Sequence, residues 1–182
     1  MTRVVLSIGS NLGDRLARLQ SVVDGLQKED SVTVLAVSPV YETAPWGGVE
    51  QAPFLNAVLV AADPACDGHA WLRRAHEFEG DAGRIRGERW GPRTLDVDLI
   101  ACHQSGQGRG APEKEVIVRD RSLTLPHPMA HLRAFVMVPW LDLDPDAELT
   151  LPGGKRRIAA LLAELEPADR EGVRLCERTL AR

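Results

Sequence analysis

The sequence predicts an α+β protein with a mainly antiparallel sheet, and three observations lead to that prediction. Apolar, β-rich runs and amphipathic helical stretches follow one another in the order strand, helix, strand, strand, helix, strand. That order is typical of the split βαβ arrangement of ferredoxin-like folds, βαββαβ. The last third of the chain adds helical stretches, which we expect on the other face of the sheet, giving three layers. With 182 residues the chain has the length of one domain, residues 1–182.

The first strand and helix are the clearest elements. Residues 4–8 form an apolar, β-branched run that ends at a Gly-Ser-Asn sequence, as expected of a buried strand followed by a turn. Apolar residues then recur at three- and four-residue spacings from Leu12 to Leu26, which predicts one buried stripe of a helix. We expect Asn11 to be the N-cap of this helix.

The remaining elements follow the same two periodicities. The sequence predicts strands at 32–37, 54–61, 95–101 and 116–118, and helices at 68–79, 129–138 and 158–165. The Pro- and Gly-rich stretch 38–53 is too long for a hairpin turn, and connections of that length are usually functional. The polar, Gly-rich stretch 103–114 is expected to be a mobile loop.

Charge and hydropathy restrict the class of partner. The chain carries 22 basic and 26 acidic residues, a net charge of −4, so it has no overall positive field to hold nucleic acid. Its apolar runs are far shorter than the ~20 residues that cross a bilayer. The first residues lack the pattern of a signal peptide. We therefore expect a cytoplasmic monomer that binds small molecules, without nucleic-acid or membrane partners.

Asp96 and Asp98 lie two residues apart in the predicted strand TLDVDLI, residues 94–100. Residues with that spacing point to the same face of a strand, about 6.5–7 Å apart. Two neighbouring carboxylates repel each other unless a cation lies between them, and Mg²⁺ accepts carboxylate oxygens while keeping sites for water and phosphate. Two such ions about 3.5–4 Å apart suit phosphoryl transfer. The alternative is a pair of solvated acids on an edge strand.

A basic segment comes immediately before these aspartates. Arg84, Arg86, Arg89 and Arg93 lie within ten residues in an otherwise acidic protein. Guanidinium groups bind phosphate oxygens in pairs and do not lose their charge near neutral pH. The segment therefore indicates a clamp for a polyphosphate, with simple surface charge as the alternative. Trp90 within it can either stack on a flat ring or bury itself in the core.

The residues around the aspartates closely resemble a known family. Residues 89–100, RWGPRTLDVDLI, resemble the signature of the 6-hydroxymethyl-7,8-dihydropterin pyrophosphokinases, enzymes of folate biosynthesis. Further stretches resemble the same family: SIGSNLG at 7–13, SPVYETAPWG at 38–47 with FLNA at 54–57, and LTLPHP at 123–128 with RAF at 133–135. The resemblance covers about residues 3–150.

The resemblance implies an activity, its cofactors and a set of site residues. Members of the family transfer pyrophosphate from ATP to the hydroxymethyl group of the pterin and release AMP, with two Mg²⁺ ions. Asp96 and Asp98 correspond to the metal ligands, and with Arg84 and Arg93 they form the implied catalytic set. The positions that match ATP-binding residues are His76, Glu79, Arg84, Arg86, Arg89, Arg93, Thr124, His127 and Arg133. The positions that match pterin-binding residues are Thr43, Ala44, Trp46, Phe54, Asn56, Trp90, Asp96 and Phe135.

Two other classes of protein remain open at this stage. A metal-dependent phosphodiesterase or nucleotidyl transferase would share the paired aspartates and the arginines. A ferredoxin-like module that binds a ligand or RNA would need no metal, although the acidic balance of the chain argues against RNA. His127 and His131 have the i, i+4 spacing of a zinc pair, but the sequence offers no evident third ligand.

Overall fold

The computed structural model describes residues 1–45, 51–83, 92–106 and 112–182. The strands are β1 (Thr2–Ser10), β2 (Thr33–Val37), β3 (Tyr41–Thr43), β4 (Phe54–Asp63), β5 (Asp96–Gln104), β6 (Lys114–Glu115), β7 (Val118–Arg119), β8 (Thr124–Leu125), β9 (Glu148–Leu151), β10 (Gly154–Arg157) and β11 (Val173–Leu175). The helices are α1 (Arg15–Gln27), α2 (Gly68–Asp81), α3 (Ala134–Leu143), α4 (Ile158–Glu164) and α5 (Pro167–Glu171), with a 3₁₀ helix at Ala130–Leu132. None of the helices in these ranges is long and apolar enough to cross a membrane.

The main sheet confirms the predicted ferredoxin-like core. Over the described residues its strand order is β11-β3-β4-β1-β5-β6, and β2 also pairs with β4. Both partners of the central strand β1 run antiparallel to it. The β1–α1–β2–β4–α2–β5 sequence, with β1 and β4 in the middle, is the βαββαβ arrangement that the element order predicts.

Two apolar cores cover the two faces of this sheet. On one face, Leu6 and Ile8 of β1 belong to a core with α1 and α2, in which Trp71 is 1% exposed. On the other face, Val5 belongs to a second core with α3 and α4, around Trp140. Alternate residues of β1 therefore serve opposite layers, and the fold has the three layers expected from the sequence.

A register shift against β1 divides β5, the strand that carries the two aspartates, into two regular parts. Val5 pairs with Ala101 but Leu6 pairs with Leu99, so one residue of β5 is left over between them. Before this irregularity Val97 and Leu99 both face the α1–α2 core. Asp96 and Asp98 alternate with them and thus point to the α3 side of the sheet, as the sequence predicts.

Two helix boundaries differ from the sequence prediction. Helix α1 begins at Arg15 and its N-cap is Asp14, whose carboxylate accepts a hydrogen bond from Ala17 N at 3.1 Å, so the prediction of Asn11 as N-cap is wrong. Gly13 has a φ of +66°, which no right-handed helix can include. The predicted helix at 129–138 is a 3₁₀ turn followed by α3, which starts only at Ala134.

The predicted loop at 103–114 is shorter than expected. His103 and Gln104 still belong to β5 and pair with Glu115 and Lys114 of β6. Of the predicted strand at 116–118, only Val118 belongs to a strand, as the first residue of β7, and residues 116 and 117 lie between β6 and β7. Residues 107–111 lie outside the described residues, and the mobility of the loop stays a prediction.

Candidate active site

An open cleft of about 620 Å³ lies on the α3 side of the sheet, where β1, β3, β4 and β5 come together. The residues that line the cleft are Ser7, Gly9, Thr43, Ala44, Gln51, Phe54, Asn56, Arg93, Asp96, Asp98, Arg133 and Phe135. One end is therefore charged and the other amide-bearing and aromatic, so the cleft suits a ligand with a polyanionic part and a flat polar ring.

The charged end is built on the start of β5. Asp96 Oδ1 accepts a hydrogen bond from Arg93 Nη1 at 2.5 Å, and Asp98 Oδ2 accepts one from Arg133 Nη1 at 2.8 Å. Both carboxylates are about a quarter exposed, so their oxygens are accessible from the cleft. Each acid is thus paired with a cation, as expected where two like charges share one face.

A buried carboxylate fixes the backbone between these two acids. Glu79 of α2 is only 7% exposed, and its Oε1 accepts a hydrogen bond from Val97 N at 3.0 Å. Val97 itself faces the α1–α2 core. The side of β5 opposite the cleft is therefore held both by apolar packing and by a charge-assisted hydrogen bond.

His127 approaches the same acids from the segment before α3. Its Nδ1 accepts a hydrogen bond from Met129 N at 3.1 Å, which places the proton of the neutral ring on Nε2. Nε2 lies 4.0 Å from Asp98 Oδ2. Burial lowers the pKa of His127, against the opposing effect of the Asp98 carboxylate. The neutral ring therefore presents an N–H donor at the charged end of the cleft.

The other end of the cleft is held by a buried amide. Asn56 of β4 is 3% exposed and donates from Nδ2 to the hydroxyl oxygen of Thr43 at 2.7 Å. A β-carbon on Gly9 would lie 2.7 Å from Asn56 Oδ1, so the absence of a side chain at Gly9 makes room for the amide. Phe54 and Phe135 add apolar walls. An oriented amide between aromatic side chains is suited to a flat heterocycle with its own amide groups.

Asn11 connects the two chain segments that border the cleft. Its Nδ2 donates to Gln51 Oε1 at 2.9 Å and to the carbonyl of Ala52 at 3.0 Å. Its Oδ1 accepts from Arg93 N at 2.7 Å, and its own backbone N–H donates to the carbonyl of Arg93 at 3.1 Å. One buried side chain thus fastens the end of the 38–53 connection to the start of the aspartate-bearing segment.

The structure brings many of the predicted site residues into the one cleft. The predicted residues that line it are Thr43, Ala44, Phe54, Asn56, Arg93, Asp96, Asp98, Arg133 and Phe135. Three predicted nucleotide contacts lie elsewhere: His76 is exposed on α2, Thr124 is half-buried in the β7–β8 pair, and Glu79 is buried beneath β5. The predicted residues Trp46, Arg84, Arg86, Arg89 and Trp90 lie outside the described residues.

Sequence reasoning missed Ser7, Gly9 and Gln51 as lining residues and Asn11 as the residue that fastens the border of the cleft. A glycine inside a strand pattern indicates a close approach by another group, so Gly9 could have been found. Ser7 alternates with the apolar residues of β1 and faces the same side as Gly9. The partners of Gln51 and Asn11 are distant in sequence, and no local pattern encodes them.

The donor set at the charged end fits a hard divalent cation. Among the residues that the structure describes, no group of three or more His, Cys, Asp or Glu side chains could hold a metal ion. Two carboxylates alone would leave most of a coordination sphere to water and to ligand oxygens, which is how Mg²⁺ is usually bound beside phosphates. Oxygen-only donors also argue against zinc, which prefers histidine and cysteine.

The family follows from comparison of the chain with known proteins. Residues 5–145 match the family model described as 7,8-dihydro-6-hydroxymethylpterin-pyrophosphokinase (HPPK). The chain therefore belongs to this family of pyrophosphokinases, in agreement with the resemblance seen in the sequence.

Relatives cover nearly the whole chain. The 2-amino-4-hydroxy-6-hydroxymethyldihydropteridine pyrophosphokinase of Mycobacterium leprae is 65% identical over 181 residues, covering 99% of this chain and 92% of the relative. The protein of the same name from Mycobacterium tuberculosis is 63% identical, covering 96% and 90%. That from Methylorubrum extorquens is 38% identical, covering 95% and 99%.

Solved structures support the fold. The crystal structure of Plasmodium falciparum HPPK-DHPS wild type with SDX-DHP matches with a TM-score of 0.59 at 14% identity, covering 90% of this chain. This chain spans only 43% of the length of that protein. At this identity the likeness shows the fold alone.

Proposed function

We propose that this chain transfers the pyrophosphoryl group of ATP to the hydroxymethyl group of 6-hydroxymethyl-7,8-dihydropterin, giving the pterin diphosphate and AMP, with two Mg²⁺ ions at Asp96 and Asp98. Family membership supports the reaction class. The observation that carries the site assignment is that Asp96, Asp98, Arg93 and Arg133 share one cleft with Asn56 and its aromatic neighbours. The reaction needs both ends of such a cleft, because the polyphosphate of ATP must be bound next to the flat ring of the pterin.

The charged end would bind and neutralise the polyphosphate. Mg²⁺, when bound, would draw negative charge from the phosphate oxygens and fix their positions. Asp96 and Asp98 would hold the metal through their exposed oxygens. Arg93 and Arg133 contact these acids and lie within reach of a ligand in the same cleft, where their guanidinium groups would pair with phosphate oxygens.

The amide end would orient the acceptor. The hydrogen bond to Thr43 orients Asn56, and the absence of a side chain at Gly9 makes room for its amide. The amide would then form hydrogen bonds with polar groups on one edge of a pterin. Phe135 and Phe54 would contact the ring faces or edges. Attack of the hydroxyl oxygen on the β-phosphorus depends chiefly on alignment and charge neutralisation, so we assign no general base.

Other contacts come to the proposal from the family resemblance. Arg84, Arg86 and Arg89 are proposed phosphate contacts, and Trp46 and Trp90 proposed pterin contacts. His127 is proposed to donate to a phosphate through Nε2–H, since that nitrogen faces Asp98. A cytoplasmic location and a monomeric state stay predictions, which cell fractionation and analytical ultracentrifugation would check.

Product analysis tests the proposal. The purified chain is incubated with ATP, 6-hydroxymethyl-7,8-dihydropterin and Mg²⁺, and we expect AMP and pterin diphosphate in equal amounts. Chelation of the metal should stop the reaction and added Mg²⁺ should restore it. Formation of ADP would contradict pyrophosphoryl transfer. Cleavage of a nucleic acid would favour the phosphodiesterase alternative, and binding of the pterin without turnover would favour a simple binding module.

A further inference from the structure

The C-terminal segment, residues 167–182, extends beyond the part of the chain that matches the family model, which ends at residue 145. This segment contains α5 and β11, and β11 adds to the main sheet beside β3. Val173, Arg174 and Leu175 pair antiparallel with Thr43, Glu42 and Tyr41. The three-residue strand that carries Thr43 is therefore held on both sides, by β4 and by β11.

The same segment lies behind the ring-binding end of the cleft. A second cavity, of about 460 Å³, is lined on one side by Thr43, Ala44 and Phe135, which also line the cleft. Residues of the C-terminal segment also line this cavity, namely Ala168 and Asp169 of α5, Gly172 after that helix, and Val173 of β11. Thr43, Ala44 and Phe135 thus form a wall shared by the two spaces, and residues of the C-terminal segment line only the second space.

The segment is also fastened C-terminal to the β11–β3 pairing. Cys176 N donates to the carbonyl of Val40 at 2.8 Å, just beyond the β11–β3 pairing. Farther on, Gln20 of α1 exchanges two hydrogen bonds with the backbone of Ala181, at 2.8 and 3.0 Å. Leu180 packs against the α1–α2 core. These contacts hold β11 against the rest of the fold rather than leaving it as a loose edge.

We propose that the C-terminal segment is a positioning element for the acceptor pocket: by pairing with β3 it fixes Thr43, and through Thr43 the amide of Asn56. The inference rests on the proposed function, because the wall that it supports is the one proposed to face the pterin. Thr43 accepts the hydrogen bond that orients Asn56, so a shift of β3 moves the group that reads the ring. No residue of the segment lines the cleft itself. It therefore acts through β3.

Two proline substitutions at adjacent positions separate this role from general destabilisation. Because Cys176 N donates to Val40, the alternation of an antiparallel ladder makes Arg174 and Glu42 the next hydrogen-bonded pair. Arg174→Pro removes an N–H that points to β3. Leu175→Pro, the matched control, removes an N–H that points away from β3 on the edge strand, where proline is tolerated. Both side chains are exposed.

Binding is measured by fluorescence titration with the pterin in the presence of a non-hydrolysable ATP analogue, and separately with the analogue alone. For Arg174→Pro we expect the pterin Kd to rise about tenfold while the analogue Kd changes less than about twofold, because a small displacement of an orienting group is costly. Leu175→Pro should keep both constants within about twofold of the unsubstituted chain. Thermal melting of each variant verifies that it is folded.

Several results would overturn the inference. Equal pterin affinity in the two proline variants would do so, as would an equal loss of pterin and analogue binding by folded Arg174→Pro. If Arg174→Pro does not fold, Cys176→Pro, which removes the neighbouring backbone bond to Val40, decides the question in the same way, with Cys176→Ala as the control for lost packing of the side chain against the α1–α2 core. Failure of the unsubstituted chain to bind the pterin would instead contradict the proposed function, and the inference would fall with it.

Discussion

The side-chain oxygen of Asn56 occupies the space that a β-carbon on Gly9 would need, with a separation of only 2.7 Å. Asn56 cannot withdraw freely, because its Nδ2 donates to Thr43 Oγ1 and its side chain is buried. Glycine inside a strand normally destabilises a sheet. Here the absence of a side chain at Gly9 leaves the space that the Asn56 amide occupies in the cleft.

Gly9→Ala should therefore impair acceptor binding selectively. The added methyl group must displace the Asn56 amide, and overpacking of this kind costs about 1–3 kcal/mol. We expect the pterin Kd to rise about tenfold or more, with little change in the Kd for an ATP analogue, by fluorescence titration. Gly80→Ala is the control, since a β-carbon at that helical position meets nothing within 4 Å. Unchanged pterin binding by Gly9→Ala would show that the Asn56 orientation is unimportant.

Asp98→Asn and Asp96→Asn should each reduce kcat on the order of 100-fold or more, because a neutral amide is a poor ligand for a hard cation. Both carboxylates are partly exposed, and asparagine keeps an oxygen that can accept from the paired arginine, so the free energy of unfolding should change by only about 1 kcal/mol. Steady-state kinetics, Mg²⁺ titration and urea denaturation measure these effects. Wild-type kcat in both variants would remove the aspartates from the mechanism.

Glu79 offers a test of how the metal-binding strand is held. In Glu79→Leu the backbone N–H of Val97 loses its acceptor inside the core, which should cost about 1–3 kcal/mol in the free energy of unfolding. Glu79→Gln keeps a carbonyl oxygen at the same place, so it should recover most of that loss. If the bond positions Asp96 and Asp98, the Leu variant should also bind Mg²⁺ more weakly than the Gln variant. Equal Mg²⁺ affinity in the two would limit Glu79 to a structural role.

The free energy of unfolding should fall as the pH drops below about 6.5, the usual pKa of histidine in an unfolded chain. Burial, followed by the positive charge of Arg3, lowers the pKa of His103 in the folded protein. In the window between the lowered and the usual pKa the unfolded chain binds the extra proton, so acid favours unfolding. The pKa of His127 is lowered as well and acts in the same direction.

His103→Gln tests this assignment, because it removes one of the two histidines whose pKa is lowered in the folded protein. Urea denaturation between pH 5 and 8 should show a shallower acid-side slope for the variant than for the parent chain. A single proton contributes at most about 1.4 kcal/mol per pH unit to that slope. A slope that is unchanged or steeper in the variant would mean that His103 is not among the groups that take up the proton.

The elements that were predictable from the sequence are those with a periodic pattern of their own. In β5 the alternation of Val97 and Leu99 with two aspartates fixes which face is buried, and the structure agrees. The stripe of α1 was equally clear, apart from its first turn. There the left-handed conformation of Gly13 prevents the helix from starting before Arg15, so the N-cap is Asp14 instead of Asn11.

The elements that escaped prediction are short or depend on distant partners. Strands β3 and β11 have three residues each, too few to show a period of two, and they form by pairing with distant segments: β3 with β4 and β11, and β11 with β3. Helix α3 starts later than predicted because Ala130–Leu132, which the apolar pattern assigns to the helix, form a 3₁₀ turn. Glu79 was expected near the nucleotide from the resemblance, but its burial and its bond to Val97 depend on packing that no local pattern reveals.

The hydrogen bonds of Asn11 have a consequence for how this enzyme can be altered. One amide group fastens the backbone next to Gln51, on the side proposed for the acceptor, and the backbone of Arg93, on the side proposed for the donor. A substitution at this position would loosen both borders together. To change the selectivity for one substrate without affecting the other, substitutions should therefore be made at residues that line the cleft, and Asn11 should be kept.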